Sequence, residues 1–350
     1  MSLSPITLSL ALVAGLWSAV SWAALSPLYK PASALGPNQL AIIVNDLDPQ
    51  SREVAAYYQQ QRHIPANQLI HVRFPPRQAV MSQKQFNAIK QQVDKLTPKQ
   101  VQAYALSWTM PFRVDCMSIT TAFASGFSEA YCAQGCKTTL ASPYFGSEQS
   151  KPYDKHGLRP TMMLAGDNVE EVKKLIDRGV AADFTQPQGS AYLLKTSDVA
   201  RSSRAAAFPD IALSFQNFWR VNYLEQDYIE GHDDVMFYFT GLKVVSHIKD
   251  NHYLPGAIAD HLTSAGGILS GSQQMSILEW LKAGVTGSYG AVVEPCNFPA
   301  KFPNPGLVMY NYLRGSSLIE AYWKSVGQPG QGLFVGEPLA KPFAFKAVKK

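Results

Sequence analysis

The chain has 350 residues and a formal net charge of +5, from 31 Lys and Arg residues against 26 Asp and Glu residues. This excess is small, and no stripe of Lys and Arg alternates with aromatic residues, so no nucleic-acid partner is expected. Apolar residues make up 46% of the chain, which is enough for the core of one large domain.

The first 23 residues form an apolar leader without charged side chains. Its apolar centre runs from Leu8 to Val20, and Ser21-Trp22-Ala23 has the small residues of a cleavage site. We therefore expect a signal peptide at 1–23 that is cleaved after Ala23. The alternative is an uncleaved anchor, which the lack of flanking Lys and Arg disfavours. No later stretch is long and apolar enough to span a bilayer, so we expect a periplasmic or extracellular protein.

Residues 24–350 are predicted to form a single α/β domain. Strands and helices alternate in its first part, with a strand at 39–45, a helix capped by Ser51, a strand at 69–74, a helix at 82–96 and a strand at 101–108. This alternation is typical of right-handed βαβ units. The predicted fold is therefore a three-layer α/β/α arrangement with a mostly parallel sheet.

The segment 110–157 is predicted to be a long loop, because it is rich in Ser, Thr and Gly and holds three of the four cysteines. Four cysteines suit an oxidising compartment and allow three pairings. We favour a disulfide between Cys132 and Cys136, which leaves Cys296 as a partner of Cys116 or as a free thiol. A zinc site at the close pair is disfavoured, since no second pair and no His follow at ligand spacing.

The alternation resumes in the second part of the domain. Strands are predicted at 161–165, 192–196, 235–239, 287–293 and, with a turn, 332–339. A helix at 169–177 is expected to begin at the N-cap Asn168 and to end at Gly179, and a helix near 275–283 to end at Gly284. The stretch 253–264 is compatible with a strand or a short helix.

Polar residues follow several of these strands, at the edge where parallel sheets carry their ligand sites. The candidate catalytic residues at this edge are Asp260, His261, Ser264 and Glu294. His261 could act as a base for Ser264 only on a helix, where residues three apart lie together. On a strand, Asp260 and His261 would point to opposite faces. Structural packing of this stretch is therefore favoured over catalysis.

Asp46 and Asp48 follow the first predicted strand and resemble the paired carboxylates that hold Mg²⁺ in haloacid-dehalogenase-type phosphatases. The acidic residues within 167–171 could supply a further ligand. Gln50 stands where that resemblance calls for a hydroxyl residue, and turn formation or helix capping explains both aspartates equally well. A magnesium-dependent phosphatase is therefore an alternative.

The remaining histidines lack partners at ligand spacing. The run 232–234 (HDD) is predicted to be a polar loop, and His247 and His252 are isolated in the sequence. We therefore expect no metal and no cofactor.

Five short motifs carry a resemblance that covers nearly the whole mature chain: DCMSIT at 115–120, GAIADHLTS at 256–264, GVTGSYG at 284–290, EPC at 294–296 and GEPL at 336–339. Together they resemble an uncharacterised secreted bacterial family associated with the exosortase protein-sorting system. The resemblance implies partners among the components of a protein-sorting or envelope system, and it implies no established activity.

More distantly, the order of elements that leads to GSSLIEA at 315–321 and GEPL at 336–339 resembles gingipain-type and other caspase-like cysteine peptidases. That resemblance implies a catalytic His after one strand and a catalytic Cys after the next. The place that matches the His, 240–242, holds no His, the place that matches the Cys, 260–265, holds no Cys, and Cys296 lies one strand too late.

We therefore expect a secreted envelope protein of caspase-like fold, derived from a peptidase whose dyad is missing, that serves surface-protein sorting by binding or assembly. Two alternatives remain: an active hydrolase with a site around His261, and a magnesium-dependent phosphatase that uses Asp46 and Asp48.

Overall fold

A computed structural model describes residues 32, 34–133 and 136–346 of the chain. The expected signal peptide and its cleavage after Ala23 lie outside these residues. The strands are β1 (Leu40–Asn45), β2 (Leu69–Val72), β3 (Val80–Met81), β4 (Ala103–Leu106), β5 (Arg113–Val114), β6 (Met117–Ser118), β7 (Thr161–Met163), β8 (Ser190–Lys195), β9 (Arg220–Glu225), β10 (Val235–Thr240), β11 (Tyr253–His261), β12 (Gly287–Ala291) and β13 (Gly332–Gly336).

The helices alternate with these strands along most of the chain. They are α1 (Pro49–Arg62), α2 (Gln83–Leu96), α3 (Ile119–Ser125), α4 (Pro152–His156), α5 (Val169–Ala182), α6 (Phe208–Phe215), α7 (Leu278–Ala283), α8 (Pro305–Leu313) and α9 (Leu318–Trp323).

A ten-stranded sheet organises the molecule, in the order β2-β1-β4-β7-β13-β12-β11-β10-β8-β9. Neighbouring strands are parallel except β12 and β13, which are antiparallel. Two five-stranded parallel halves therefore run in opposite directions and meet at the β12–β13 pair. This confirms the predicted α/β class and the mostly parallel sheet. The short strands β3, β5 and β6 form a separate small sheet.

The two halves of the sheet follow the same plan. From the outer edge inward, the first half has the order β2, β1, β4, β7 and the second half β9, β8, β10, β11, so in both the strand that comes second in sequence lies outermost, followed by the first, the third and the fourth. The fifth place is taken by β13 in the first half and by β12 in the second. A hydrogen bond repeats as well: the N–H of Asn45 donates to Ser51 Oγ, six residues on, and the N–H of Thr196 donates to Ser202 Oγ, also six residues on, both at 2.9 Å. No tandem repeat accompanies this plan in the sequence.

Helices cover both faces of the sheet. Side chains alternate along each strand, so Ile42 and Val44 of β1 pack on one face and Ala41 and Ile43 on the other. Buried residues of α1, α5, α6, α8 and α9 belong to the core of the first face, and buried residues of α2, α3 and α7 to the cores of the second. The sheet is thus the middle layer of three.

Helix α1 begins earlier than predicted. Its N-cap is Asp48, whose Oδ1 accepts the N–H of Gln50 at 3.0 Å, and Pro49 occupies the first helical position. Ser51, the predicted cap, lies inside the helix, where its hydroxyl binds Asn45 and contacts Ser107 Oγ at 2.8 Å. The prediction was wrong because the proline before Ser51 already fixes a helical φ.

Helix α5 continues past its predicted end. The N-cap is confirmed, since Asn168 Oδ1 accepts the N–H of Glu171 at 3.0 Å, but the helix runs through Gly179 to Ala182. A Cβ at position 179 would lie 2.6 Å from the side chain of Glu337. Gly179 therefore gives room to a packed carboxylate rather than ending the helix.

The predicted disulfide between Cys132 and Cys136 is wrong. Within the segment 110–157 the structure has β5, β6, α3 and α4, and Cys132 and Cys136 lie in the mostly irregular stretch between α3 and α4. The turn between β5 and β6 brings Cys116 to 5.4 Å from Cys132 between Cα atoms, and Cys136 lies 5.5 Å from Cys296, so these are the two disulfides. Two disulfides are typical of proteins that fold in an oxidising compartment outside the cytoplasm. No helix in the described part of the chain has the length and apolarity to cross a membrane.

Candidate functional site

A pocket of about 320 Å³ opens at the carboxyl ends of β11 and β12, beside the segment that follows β8. This volume lies at the lower end of the range for small-ligand pockets. Its walls include Arg201, Leu262, Ser264, Glu294, Phe302 and the Cys136–Cys296 disulfide. Two of the four predicted site residues, Ser264 and Glu294, thus line one pocket, and Asp260 and His261 are not among its lining residues.

Arg201 is held in the pocket wall by two side chains. Its Nε donates to Thr263 Oγ1 at 3.0 Å, and its Nη1 donates to Asp198 Oδ2 at 2.6 Å. Burial alone would raise the pKa of Asp198, but hydrogen bonds from the backbone N–H and guanidinium of Arg201 hold that pKa below its usual value. Nη2 of Arg201 donates to none of the described residues, so a fixed guanidinium edge remains for a ligand.

The segment after β12 places a carboxylate, opposite in charge to the Arg201 guanidinium, in the same pocket. Glu294 is exposed, and its Oε1 accepts the N–H of Cys296 at 2.7 Å. Lys301 is only 1% exposed and donates to the carbonyl oxygens of Pro295 at 2.9 Å and Lys137 at 2.6 Å. Burial lowers the pKa of Lys301. The pocket therefore offers one carboxylate and one guanidinium, on segments that side-chain hydrogen bonds hold in place.

His261 is part of the core. It is 1% exposed, its Nδ1 accepts the indole N–H of Trp280 at 3.0 Å, and its Nε2 lies 3.1 Å from the carbonyl oxygen of Met275. This network assigns a neutral imidazole with the proton on Nε2, and burial lowers its pKa to about 3. Both ring nitrogens are therefore used, and within the described residues the Ser264 hydroxyl has no hydrogen-bond partner.

Asp260 lies on the other face of β11, as expected for neighbouring residues on a strand. It is buried, and Arg204 Nη2 lies 2.7 Å from its Oδ1. This is an ionic contact without hydrogen-bond geometry, since neither carboxylate oxygen has a hydrogen-bond partner among the described side chains and backbone. Burial outweighs the pull of Arg204 and raises the pKa of Asp260 to about 6. Arg204 also donates to the carbonyl oxygen of Thr240 at 2.8 Å, so the pair joins β10 and β11.

The place after β10 has no room for a side chain. A Cβ on Gly241 would lie 1.9 Å from the carbonyl oxygen of Arg201, and Thr196 Oγ1 donates to the Gly241 carbonyl oxygen at 2.6 Å. All four cysteines of the chain are in disulfides, so none is a free thiol. The place at which the peptidase resemblance calls for His thus holds a tightly packed glycine, and the place at which it calls for Cys, 260–265, holds no cysteine.

Asp46 and Asp48 make local contacts. Asp46 Oδ1 lies 2.7 Å from His71 Nδ1, and Asp48 caps α1. In the acidic stretch 167–171, Asp167 pairs with Lys282 and Glu170 with Lys173. Neither aspartate belongs to a group of three metal-ligating side chains within the described ranges.

One such group does occur in the described part of the chain, at Glu230, His247 and Asp250. His247 Nδ1 lies 2.7 Å from Asp250 and 3.0 Å from Glu230, so the expectation that His247 is isolated was wrong. The spacing of three residues between His247 and Asp250 was a signal for the first contact, whereas Glu230 approaches only through the fold.

Sequence reasoning missed Arg201 as a pocket residue. Its signal was its position six residues after Lys195, the last residue of β8, at the edge of the sheet that also carries Ser264 and Glu294. No family model matches the chain, no curated protein matches it significantly, and no solved structure matches its fold significantly.

Proposed function

We propose that the protein is a peptide-binding component of the cell envelope, of caspase-like architecture, that has lost the peptidase dyad and serves surface-protein sorting by binding rather than by turnover. The observation that carries this proposal is the pocket at the ends of β11 and β12, where a fixed guanidinium and a carboxylate stand beside apolar side chains. Such a mixture suits a peptide segment with adjacent acidic and basic groups.

The surroundings of the pocket favour binding over hydrolysis. The Ser264 hydroxyl lacks a hydrogen-bonded base among the described residues, because both nitrogens of His261 are engaged in the core. Nucleophilic catalysis by a hydroxyl needs such a base within reach. The absence of space at Gly241 and of a free cysteine supports the same reading.

Arg201 is the residue we expect to contribute most to binding. Its Nε and Nη1 are already fixed by Thr263 and Asp198, so little side-chain entropy is lost when a ligand carboxylate binds the remaining N–H groups. A charge-assisted hydrogen bond of this kind contributes about 1.5–3 kcal/mol.

The test uses a fluorescein-labelled hexapeptide with adjacent Lys and Asp at its centre, and a matched peptide with Gln and Asn there. Fluorescence anisotropy should show tighter binding of the charged peptide, and Arg201→Gln should weaken it by about tenfold or more. Arg220→Gln, which changes an exposed arginine of β9 outside the pocket lining, is the control and should bind as the wild type does.

Mass spectrometry of the same peptides after incubation separates binding from turnover. Intact peptides are expected. Cleavage that Ser264→Ala abolishes would replace the proposal with the hydrolase alternative, and equal affinity for both peptides, or for Arg201→Gln and the wild type, would overturn the role given to the pocket.

A further inference from the structure

Three ligand atoms converge where two loops meet, away from the peptide pocket. Glu230 comes from the loop between β9 and β10, and His247 and Asp250 come from the connection between β10 and β11. The carboxylate oxygens of Glu230 and Asp250 lie 3.0 Å and 2.7 Å from the same atom, Nδ1 of His247. All three side chains are accessible to solvent.

The cluster, Glu230, His247 and Asp250, carries an excess of negative charge. A neutral imidazole leaves two uncompensated carboxylates, and a protonated one still leaves a net charge of −1. No Lys or Arg of the described chain pairs with either carboxylate, and Lys249, their nearest basic neighbour in sequence, pairs instead with Glu279 at 3.8 Å. The oxygens of the two carboxylates lie within 4.8 Å of each other, and a divalent cation between them would offset their repulsion.

Bonds outside the cluster hold the two loops together. The side-chain amide of Asn251 donates to the carbonyl oxygens of Ile229 and His247, both at 2.9 Å. The N–H of Gly231 donates to the carbonyl oxygen of Asp250 at 2.9 Å. These bonds flank Glu230 on both sides, so its approach to His247 does not depend on the ion pair itself.

The imidazole ring is also oriented independently of the carboxylates. It stacks on Tyr228 with ring centroids 4.3 Å apart and an interplanar angle of 27°. The backbone of His247 is left-handed, with φ of 57°, a conformation that needs support from its surroundings in a non-glycine residue. The stacking on Tyr228 supports the ring in the orientation in which Nδ1 faces both carboxylates.

From this geometry we infer that Glu230, His247 and Asp250 form a divalent transition-metal site of the zinc class, with water in the remaining position. One imidazole nitrogen and two carboxylate oxygens match the donors that Zn²⁺ accepts, whereas Ca²⁺ and Mg²⁺ prefer oxygen alone. Bonds of about 2.1 Å in a tetrahedron separate ligand atoms by roughly 3.4 Å. The oxygens of Asp250 and Glu230, now 2.7 Å and 3.0 Å from Nδ1, would therefore move away from it by about 0.7 Å and about 0.4 Å, which exposed side chains can do.

The site adjoins the amino ends of β10 and β11, whereas the peptide pocket lies at the carboxyl end of β11. Binding of zinc would cross-link the β9–β10 loop to the β10–β11 connection. Zinc binding at this site does not require the proposed peptide binding.

The experiment titrates Zn²⁺ into tag-free protein that has been stripped with EDTA and dialysed, with isothermal titration calorimetry as the readout. We expect one ion per chain with a micromolar or lower dissociation constant. His247→Ala and Glu230→Gln should each weaken binding by about tenfold or more. Co²⁺ in place of Zn²⁺ should give a visible absorption band that both variants lose.

His252→Ala is the matched control, because His252 lies in the same connection but outside the cluster, and its ring nitrogen Nδ1 lies 3.1 Å from the carbonyl oxygen of Asp233. It should bind Zn²⁺ as the wild type does. The melting temperature of each metal-free variant checks the fold, and Asp250→Asn gives a third, isosteric test. Failure of the wild type to bind Zn²⁺, wild-type affinity in the His247 and Glu230 variants, or a site that takes Ca²⁺ but not Zn²⁺ would overturn the inference.

Discussion

His261 and Arg201 show how burial separates structural from ligand-facing polar residues at one edge of the sheet. Both ring nitrogens of His261 are hydrogen-bonded inside the core, to Trp280 and Met275. Arg201 is half-buried and keeps part of its guanidinium free, on the wall of a pocket. The sequence draws attention to the histidine, since imidazole is the commonest catalytic base. The pocket, however, is lined by the arginine and not by the histidine.

Replacing His261 by alanine should destabilise the protein. The change leaves the Trp280 N–H and the Met275 carbonyl oxygen without partners in the core, at a cost of about 1–3 kcal/mol in the free energy of unfolding. Urea unfolding at neutral pH measures this loss. His252→Ala, at an exposed position, should remain within about 0.5 kcal/mol of the wild type.

The same variant has a pH signature. The folded pKa of His261, about 3, lies below the unfolded value of 6.5, so its neutral form contributes stability that is present above pH 6.5 and is lost as the pH falls toward 3. The difference in unfolding free energy between wild type and His261→Ala should therefore shrink on acidification over this range. A fully stable variant that has lost peptide binding would instead place His261 in the functional site.

At the scale of elements, the segment 110–157 shows how side-chain hydrogen bonds hold a short helix in place. Ser118 is the N-cap of helix α3, and its Oγ accepts the N–H of Thr121 at 3.1 Å. Within the helix, Thr120 and Thr121 donate to the carbonyl oxygens of Gly332 and Pro329. The segment thus supports β13 from the side. Its Ser and Thr content suggested a loop, but these hydroxyls cap a helix and bind the neighbouring strand.

The two disulfides should differ in their contributions to stability. Cys136–Cys296 joins residues 160 positions apart, and Cys116–Cys132 joins residues 16 apart. The chain-entropy model gives about 5 kcal/mol for the longer loop and about 3 kcal/mol for the shorter. Urea unfolding of the double variants Cys136→Ala/Cys296→Ala and Cys116→Ala/Cys132→Ala should therefore rank the first as the less stable.

Thiol titration of the denatured, unreduced wild type controls for the pairing and should detect no free thiol. Peptide mapping without reduction should recover the two cross-linked pairs. A peptide that joins Cys132 to Cys136 would contradict the structure, and the opposite order of stabilities would contradict the entropic account.

At the scale of the whole molecule, the sheet consists of two parallel halves that meet at one antiparallel pair of strands. A buried charge cluster ties β13 to the helices of the first half. Glu337, directly after β13, is 0% exposed and accepts from Arg62 Nε at 3.0 Å and from Tyr58 Oη at 2.5 Å. Arg62 Nη1 also binds Asp183 at 2.5 Å, at the end of α5. The close approach of Glu337 to α5 is what Gly179 permits.

Arg62→Leu should be strongly destabilising. It leaves the buried carboxylate of Glu337 without its counter-charge, which costs about 3–5 kcal/mol. The double variant Arg62→Leu/Glu337→Gln removes that charge as well and should recover part of the loss in urea unfolding. Equal stability of the single and the double variant would show that the uncompensated carboxylate is not the cause.

The sequence predicts the elements of this fold better than their arrangement. Apolar runs locate β1, β10 and β12, and Asn168 and Gly284 mark helix ends as expected. Strands buried on both faces lack an alternating pattern, and their direction leaves no trace in composition, so the opposed halves were not foreseeable. Disulfide pairing and the contacts of Gly179 and Glu230 depend on residues distant in sequence. Strand ends can be located in the sequence, which is why Ser264 and Glu294 were expected at the edge where the pocket lies, but exposure cannot, and Asp260 and His261 are buried.

The position of β13 determines when the sheet can be completed during synthesis. The strand that comes late in the described chain lies between β7, which precedes the whole second half, and β12. While the chain is being made, one edge of β7 stays unpaired until β13 has emerged, so this strand edge is exposed to aggregation while the strands of the second half are synthesised. A protease that cuts between β7 and β8 would not release two independent pieces, because the C-terminal fragment supplies a strand to the N-terminal one. The two halves are thus interlocked.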